Sequence, residues 1–116
     1  MSDFLLYDFL QIYSDENYIK KIKTIDIEQF VTQSLGFKKI SNLKFSKIIY
    51  GESVVATGIL VNTNGGYAFD TLEGVEEINL IEIDIPLMID IKIEKAILEI
   101  ANTIASKYSW IIEERR

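Results

Sequence analysis

The stretch Ile81-Glu82-Ile83-Asp84-Ile85-Pro86-Leu87-Met88-Ile89-Asp90-Ile91-Lys92-Ile93 decides how the rest of the chain is read. Every odd position is Ile or Leu, and the even positions are polar except for Pro86 and Met88. Strict alternation is the two-residue period of a strand with one face buried and the other wet. Fully extended, the stretch would reach about 40 Å, longer than a typical strand. Pro86 lies inside it and cannot donate to a central ladder. The strand is therefore expected over residues 78–85, with Pro86 at its end and Asp90 as the N-cap of a helix beyond it.

Downstream the period changes. Ile93, Ile97, Ile100, Ile104, Tyr108 and Ile111 recur at spacings of three and four, which predicts one long C-terminal helix ending in Glu113-Glu114-Arg115-Arg116. Ala96, Ala101 and Ala105 widen its stripe for close packing on a sheet. Upstream, residues 54–61 are rich in β-branched side chains and read as a buried strand, with Gly58 marking a bulge or a close approach. Asn62-Thr63-Asn64-Gly65-Gly66 is a hairpin signal, and Tyr67, Phe69 and Thr71 begin the returning strand, turned again at Leu72-Glu73-Gly74. Leu43, Phe45 and Ile48 mark a short strand ending at Tyr50-Gly51.

The N-terminal third reads as helical. Leu5, Phe9 and Tyr13 recur at four-residue spacing, with Ser2 as a cap and Asp3 at the positive end. Asp26 and Gln29 form a capping-box-like pair for a second helix whose stripe is Ile27, Phe30, Val31 and Leu35, closed by Gly36 with Phe37 packing back. The fold class expected is α+β, as a single domain over residues 1–116. N-terminal helices precede an antiparallel sheet of three to five strands, and the long C-terminal helix packs on that sheet.

Composition limits the chemistry. The 116 residues contain no Cys and no His. That removes disulfides, thiol nucleophiles, His-based triads and the usual zinc ligands, so no catalytic residue, metal ligand or cofactor is assigned. Charges interrupt every apolar stretch, and the first residues carry acid where a signal peptide would carry base, so a cytoplasmic protein without membrane contact is expected.

The net charge of −6 is unevenly spread: residues 50–90 hold eight acids and no Lys or Arg. Such a run is expected to repel nucleic acid and steer a basic partner. Asp70, Glu73, Glu76, Glu77, Glu82 and Asp84 are the candidate partner-binding residues. Phe37-Lys38-Lys39, Lys44-Phe45-Ser46-Lys47 and Tyr50 interleave bases with aromatics as single-strand binders do, within a chain too acidic overall for nucleic acid to be the expected partner.

Three functions are compatible with these residues. The leading expectation is a small acidic non-enzymatic binding protein, resembling in type the immunity and inhibitor proteins that neutralise a basic bacterial toxin or nuclease. The second is a divalent-metal-dependent hydrolase using Asp70, Glu82 and Lys92. Here Asp70 followed by Glu82-Ile83-Asp84 resembles the PD-(D/E)xK nucleases, departing from them at Asp84, where the family carries Lys. Asp90-Ile91-Lys92 restores an acid-x-Lys triplet. The third is a structural or phage-encoded homo-oligomeric subunit, self-associating through an apolar cluster at Tyr108, Trp110 and Ile112.

Overall fold

The computed structural model describes residues 9–61, 76–86 and 90–114. The alternating stretch forms its centre. Leu80–Asp84 is a strand of a six-stranded sheet, and it ends before Pro86. In chain order the elements are β1 (Phe9–Tyr13), β2 (Ile22–Lys23), α1 (Thr24–Gln29), a π-helical turn (Phe30–Ser34), β3 (Lys38–Ser41), β4 (Lys44–Ile49), β5 (Glu52–Ile59), β6 (Glu77–Ile78), β7 (Leu80–Asp84), α2 (Ile91–Tyr108) and β8 (Ile111–Glu114). The large sheet runs β3-β4-β5-β7-β1-β8 with every neighbouring pair antiparallel, and β2 and β6 make a separate two-stranded ribbon.

Alternation sorts the side chains into two faces. Ile81 and Ile83 on β7, Leu10 and Ile12 on β1, Val54 and Ala56 on β5 and Phe45 on β4 are buried in one cluster with Ile93, Ile97, Ile100, Ala101 and Ile104 of α2. Ile27 and Val31 join the same core from α1 and the π-helical turn. Burying a side chain of this size contributes about 1.5–3 kcal/mol, so the contiguous cluster is what holds helix to sheet. Asp90 caps α2 as expected: its Oδ1 accepts from the Ile93 N–H at 3.0 Å. Ile91, at an odd position of the same stretch, is exposed.

Gly58 is a close approach. A Cβ there would stand 2.9 Å from Leu43 Cδ2 and 3.0 Å from Ile78 Cδ1. Leu43 is itself fully buried with φ of 60°, and its carbonyl accepts from the Gly58 N–H at 2.8 Å. Neither neighbour can retreat without disturbing the core. Gly58→Ala is therefore expected to cost about 1–3 kcal/mol, measured as a lower midpoint in chemical denaturation. The β4–β5 hairpin closes on Tyr50-Gly51, both with positive φ, as a two-residue turn of the primed kind requires.

Four expectations are corrected. Among the described residues the N-terminal helices reduce to one short helix with its π-helical continuation, and Phe9–Tyr13 is a strand. β1 sits between β7 and β8, where both faces are shaded. A five-residue segment largely apolar on both faces satisfies a four-residue spacing by coincidence. α1 begins at Thr24 rather than Asp26, with Lys23 before it and no side-chain cap, so the Asp26–Gln29 box does not form.

The C-terminal helix stops at Tyr108. Ser109 adopts φ of 58°, the Trp110 N–H returns to the Ala105 carbonyl at 2.9 Å, and the chain turns into β8 along β1. Adding β1, β3 and β8 takes the sheet to six strands among the described residues, rather than three to five. The hairpin and returning strand expected over residues 62–74 lie outside the described residues, as do Ser2, Asp3 and Leu5.

Candidate functional site

The ribbon pairs β2, the two residues before α1, with β6. The Thr24 N–H donates to the Glu76 carbonyl at 2.8 Å, and Lys23 lies opposite Glu77 in register. These contacts set Glu76 and Glu77 on the rim of a groove of about 610 Å³ lined by Lys23, Thr24, Ile25, Glu28, Glu76 and Glu77. Ile25 is an apolar side chain 60% exposed within it. Glu28, on the first helix, is ion-paired to Lys39 of the β3 edge at 3.0 Å, an exposed bridge that orients the carboxylate more than it stabilises the fold.

Glu82 and Asp84 stand elsewhere. Strand alternation turns them to the sheet face opposite α2, because Ile81 and Ile83 fill the helix side. There Thr57, Glu82, Gln11 and Glu113 form one cross-strand row, with the Gln11 Nε2–H donating to Glu82 Oε2 at 3.3 Å. Gln11 is buried despite facing outward, shaded by its neighbours in that row. Partial burial pushes the Asp84 carboxyl above its ordinary range, and the Lys44 charge opposes that shift.

Of the six residues expected to bind a partner, the fold thus places Glu76 and Glu77 in the groove and Glu82 and Asp84 on the open face. Asp70 and Glu73 lie outside the described residues. The four described residues thus fall in two places, the groove and the sheet face. Glu28 and Ile25, which complete the groove, escape a reading by charge run because Glu28 sits in the lysine-rich part of the chain.

The nuclease-like set is divided by the sheet. Lys92 lies in the first turn of α2, its Nζ 6.0 Å from the centre of the Tyr50 ring, whereas Glu82 faces the other side. Among the described residues no three acids gather into a group able to hold a metal ion. The basic–aromatic stretch is also taken apart. Phe37 and Phe45 are in the core, Lys39 is tied to Glu28, and the Lys47 ammonium donates to the Leu35 carbonyl at 2.8 Å.

Of the residues expected to self-associate, Trp110 is buried, and Tyr108 and Ile112 are partly buried against the main core. Among the described residues no helix is long and apolar enough to cross a membrane.

No protein-family model matches the chain, and neither a curated protein nor a solved structure shows significant similarity to it.

Proposed function

We propose that this is a non-enzymatic binding protein of the immunity or inhibitor kind, which neutralises a basic toxin or nuclease by receiving a cationic segment in the groove between α1 and the ribbon. The observation that carries the reading is the meeting of Glu76 and Glu77 with Glu28, a carboxylate from a distant part of the chain, around the exposed Ile25. Three carboxylates and one ammonium, that of Lys23, surround this apolar contact, and the net negative lining suits an arginine- or lysine-bearing segment with an aliphatic tip. The charges set encounter rate and specificity, and the apolar centre excludes water. Glu82 and Asp84 extend the same preference over the open sheet face.

The test is capture of partners from the native host on tagged protein, at low and high salt, beside the double variant Glu76→Lys/Glu77→Lys. A basic protein held at low salt and released by high salt is expected. The double variant should weaken its binding by roughly tenfold or more, since two rim charges change sign. Undiminished capture by that variant would remove the groove from the proposal.

A second reading, a homo-oligomeric subunit, draws on β8, which has a neighbour on one side only among the described residues and carries the exposed Ile111. A monomeric mass at every concentration would dismiss it.

A further inference from the structure

On the other side of α1, the helix widens into the π-helical turn of Phe30–Ser34, where the Leu35 N–H reaches back five residues to the Phe30 carbonyl at 3.2 Å. Such turns are rare and concentrate at functional sites. Here the turn borders a pocket of about 370 Å³ lined by Asp26, Gln29, Phe30, Gln33, Ser34, Lys107 and Tyr108. That volume suits one small molecule and is too small for a folded partner.

The lining is organised. The Phe30 and Tyr108 rings meet edge to face with centres 5.9 Å apart. The Lys107 ammonium lies 4.9 Å from the centre of the first ring and 5.7 Å from that of the second, so a cation is held at the mouth by two aromatic faces. The Tyr108 hydroxyl is buried and has no hydrogen-bond partner among the described residues. Buried hydroxyls of native proteins are nearly always bonded, and an exception calls for an explanation. Burial, and after it the negative charge of Asp26, push the phenol's pKa further up.

We propose that this pocket binds a small zwitterion of the amino-acid class, its carboxylate at Lys107 and its ammonium at Asp26. A formal cation and a formal anion line one small cavity. Two amide side chains, Gln29 and Gln33, and the hydroxyl side chains of Ser34 and Tyr108 share the lining with the aromatic wall, and such groups donate and accept. A simple anion would meet Asp26 unfavourably, and a simple cation would meet Lys107. A molecule carrying both charges satisfies both. The site is separate from the acidic groove, which lies across α1 at Ile25 and Glu28, so the two proposals stand or fall independently.

Titration calorimetry with the individual free amino acids, each beside its analogues lacking the α-amino group or carrying an amidated carboxyl, tests this. At least one amino acid should bind, and both of its analogues should bind at least tenfold more weakly, the loss expected for a charged hydrogen bond. Lys107→Met keeps the aliphatic stem over the rings and should weaken the amino acid by a similar factor while leaving the carboxyl-amidated analogue unchanged. Asp26→Asn should do the same for the ammonium end. Both residues are exposed, so the variants' melting curves serve as the control for folding. No heat with any amino acid up to millimolar concentration overturns the proposal, as does binding that neither variant alters.

Discussion

Asn79→Ala is expected to destabilise the protein by about 4 kcal/mol, read as a shift of the denaturant midpoint at constant slope. Asn79 is completely buried. Its Oδ1 accepts from the Val61 N–H at 2.8 Å, and its Nδ2 donates to the Val61 carbonyl at 2.9 Å and to the Tyr18 carbonyl at 3.0 Å. Its own backbone continues the pattern: the N–H donates to the Ile59 carbonyl at 3.1 Å, and the carbonyl accepts from Ser14 at 3.0 Å.

One side chain therefore ties the end of β5, the segment after β1 and the start of β7. Alanine leaves one donor and two acceptors without their partner, at about 1–3 kcal/mol for each group that water cannot reach. Asn79→Asp supplies a sharper check. It keeps the acceptor for Val61 and loses both donors, and it sets a negative charge against two carbonyl oxygens. The folded-state pKa of the new carboxyl would be raised, so its penalty is largest above that pKa and is relieved as pH falls through it. The Ala variant should show no such relief.

Trp110→Ala is expected to cost about 3–5 kcal/mol, the range for truncating a buried aromatic in a packed core. The ring is 7% exposed, lies 5.8 Å from that of Tyr108, and belongs to the main cluster with Ile97 and Ile104. It is the only Trp in the chain, so fluorescence gives an independent reading. Emission should be that of a shielded indole at every protein concentration and shift to the red only on unfolding. Had Trp110 served an oligomer interface, its emission would change with dilution, and alanine would weaken association without lowering the stability of the monomer.

These two residues mark where reading by pattern stops. The start of α2 and the strand before Pro86 were legible because each is long or strictly periodic, and because Asp90 and Pro86 punctuate them. β8 was not legible, since Ile111 continues the spacing of the preceding helix. What ends the helix is the left-handed Ser109, a conformation that a non-glycine residue seldom announces. β1 failed for a related reason: a central strand buried on both faces has lost the alternation by which strands are recognised.

The candidate groove was half legible. Glu76 and Glu77 stood out as part of an acid-only run, but Glu28 and Ile25 join them only through the pairing of β2 with β6, about fifty residues away in sequence. Asn79 gave no sign at all, being a lone polar residue between Ile78 and Leu80, and only its partners show why it is there.

By itself, then, the sequence determined the α+β class, the two-faced sheet, the start and cap of the long helix, a special role for Gly58 and the absence of thiol or imidazole chemistry. These follow from local period, side-chain type and steric need, which act over a few residues. The tertiary structure alone decided that the first described strand lies next to the last, that Trp110 turns inward, that Glu82 and Lys92 fall on opposite sides of the sheet, and that Glu28 meets Glu76 and Glu77. Each of these is a contact between segments far apart in the chain. Such contacts are set by which faces must be buried together and which backbone groups must be paired, conditions met by the folded chain as a whole.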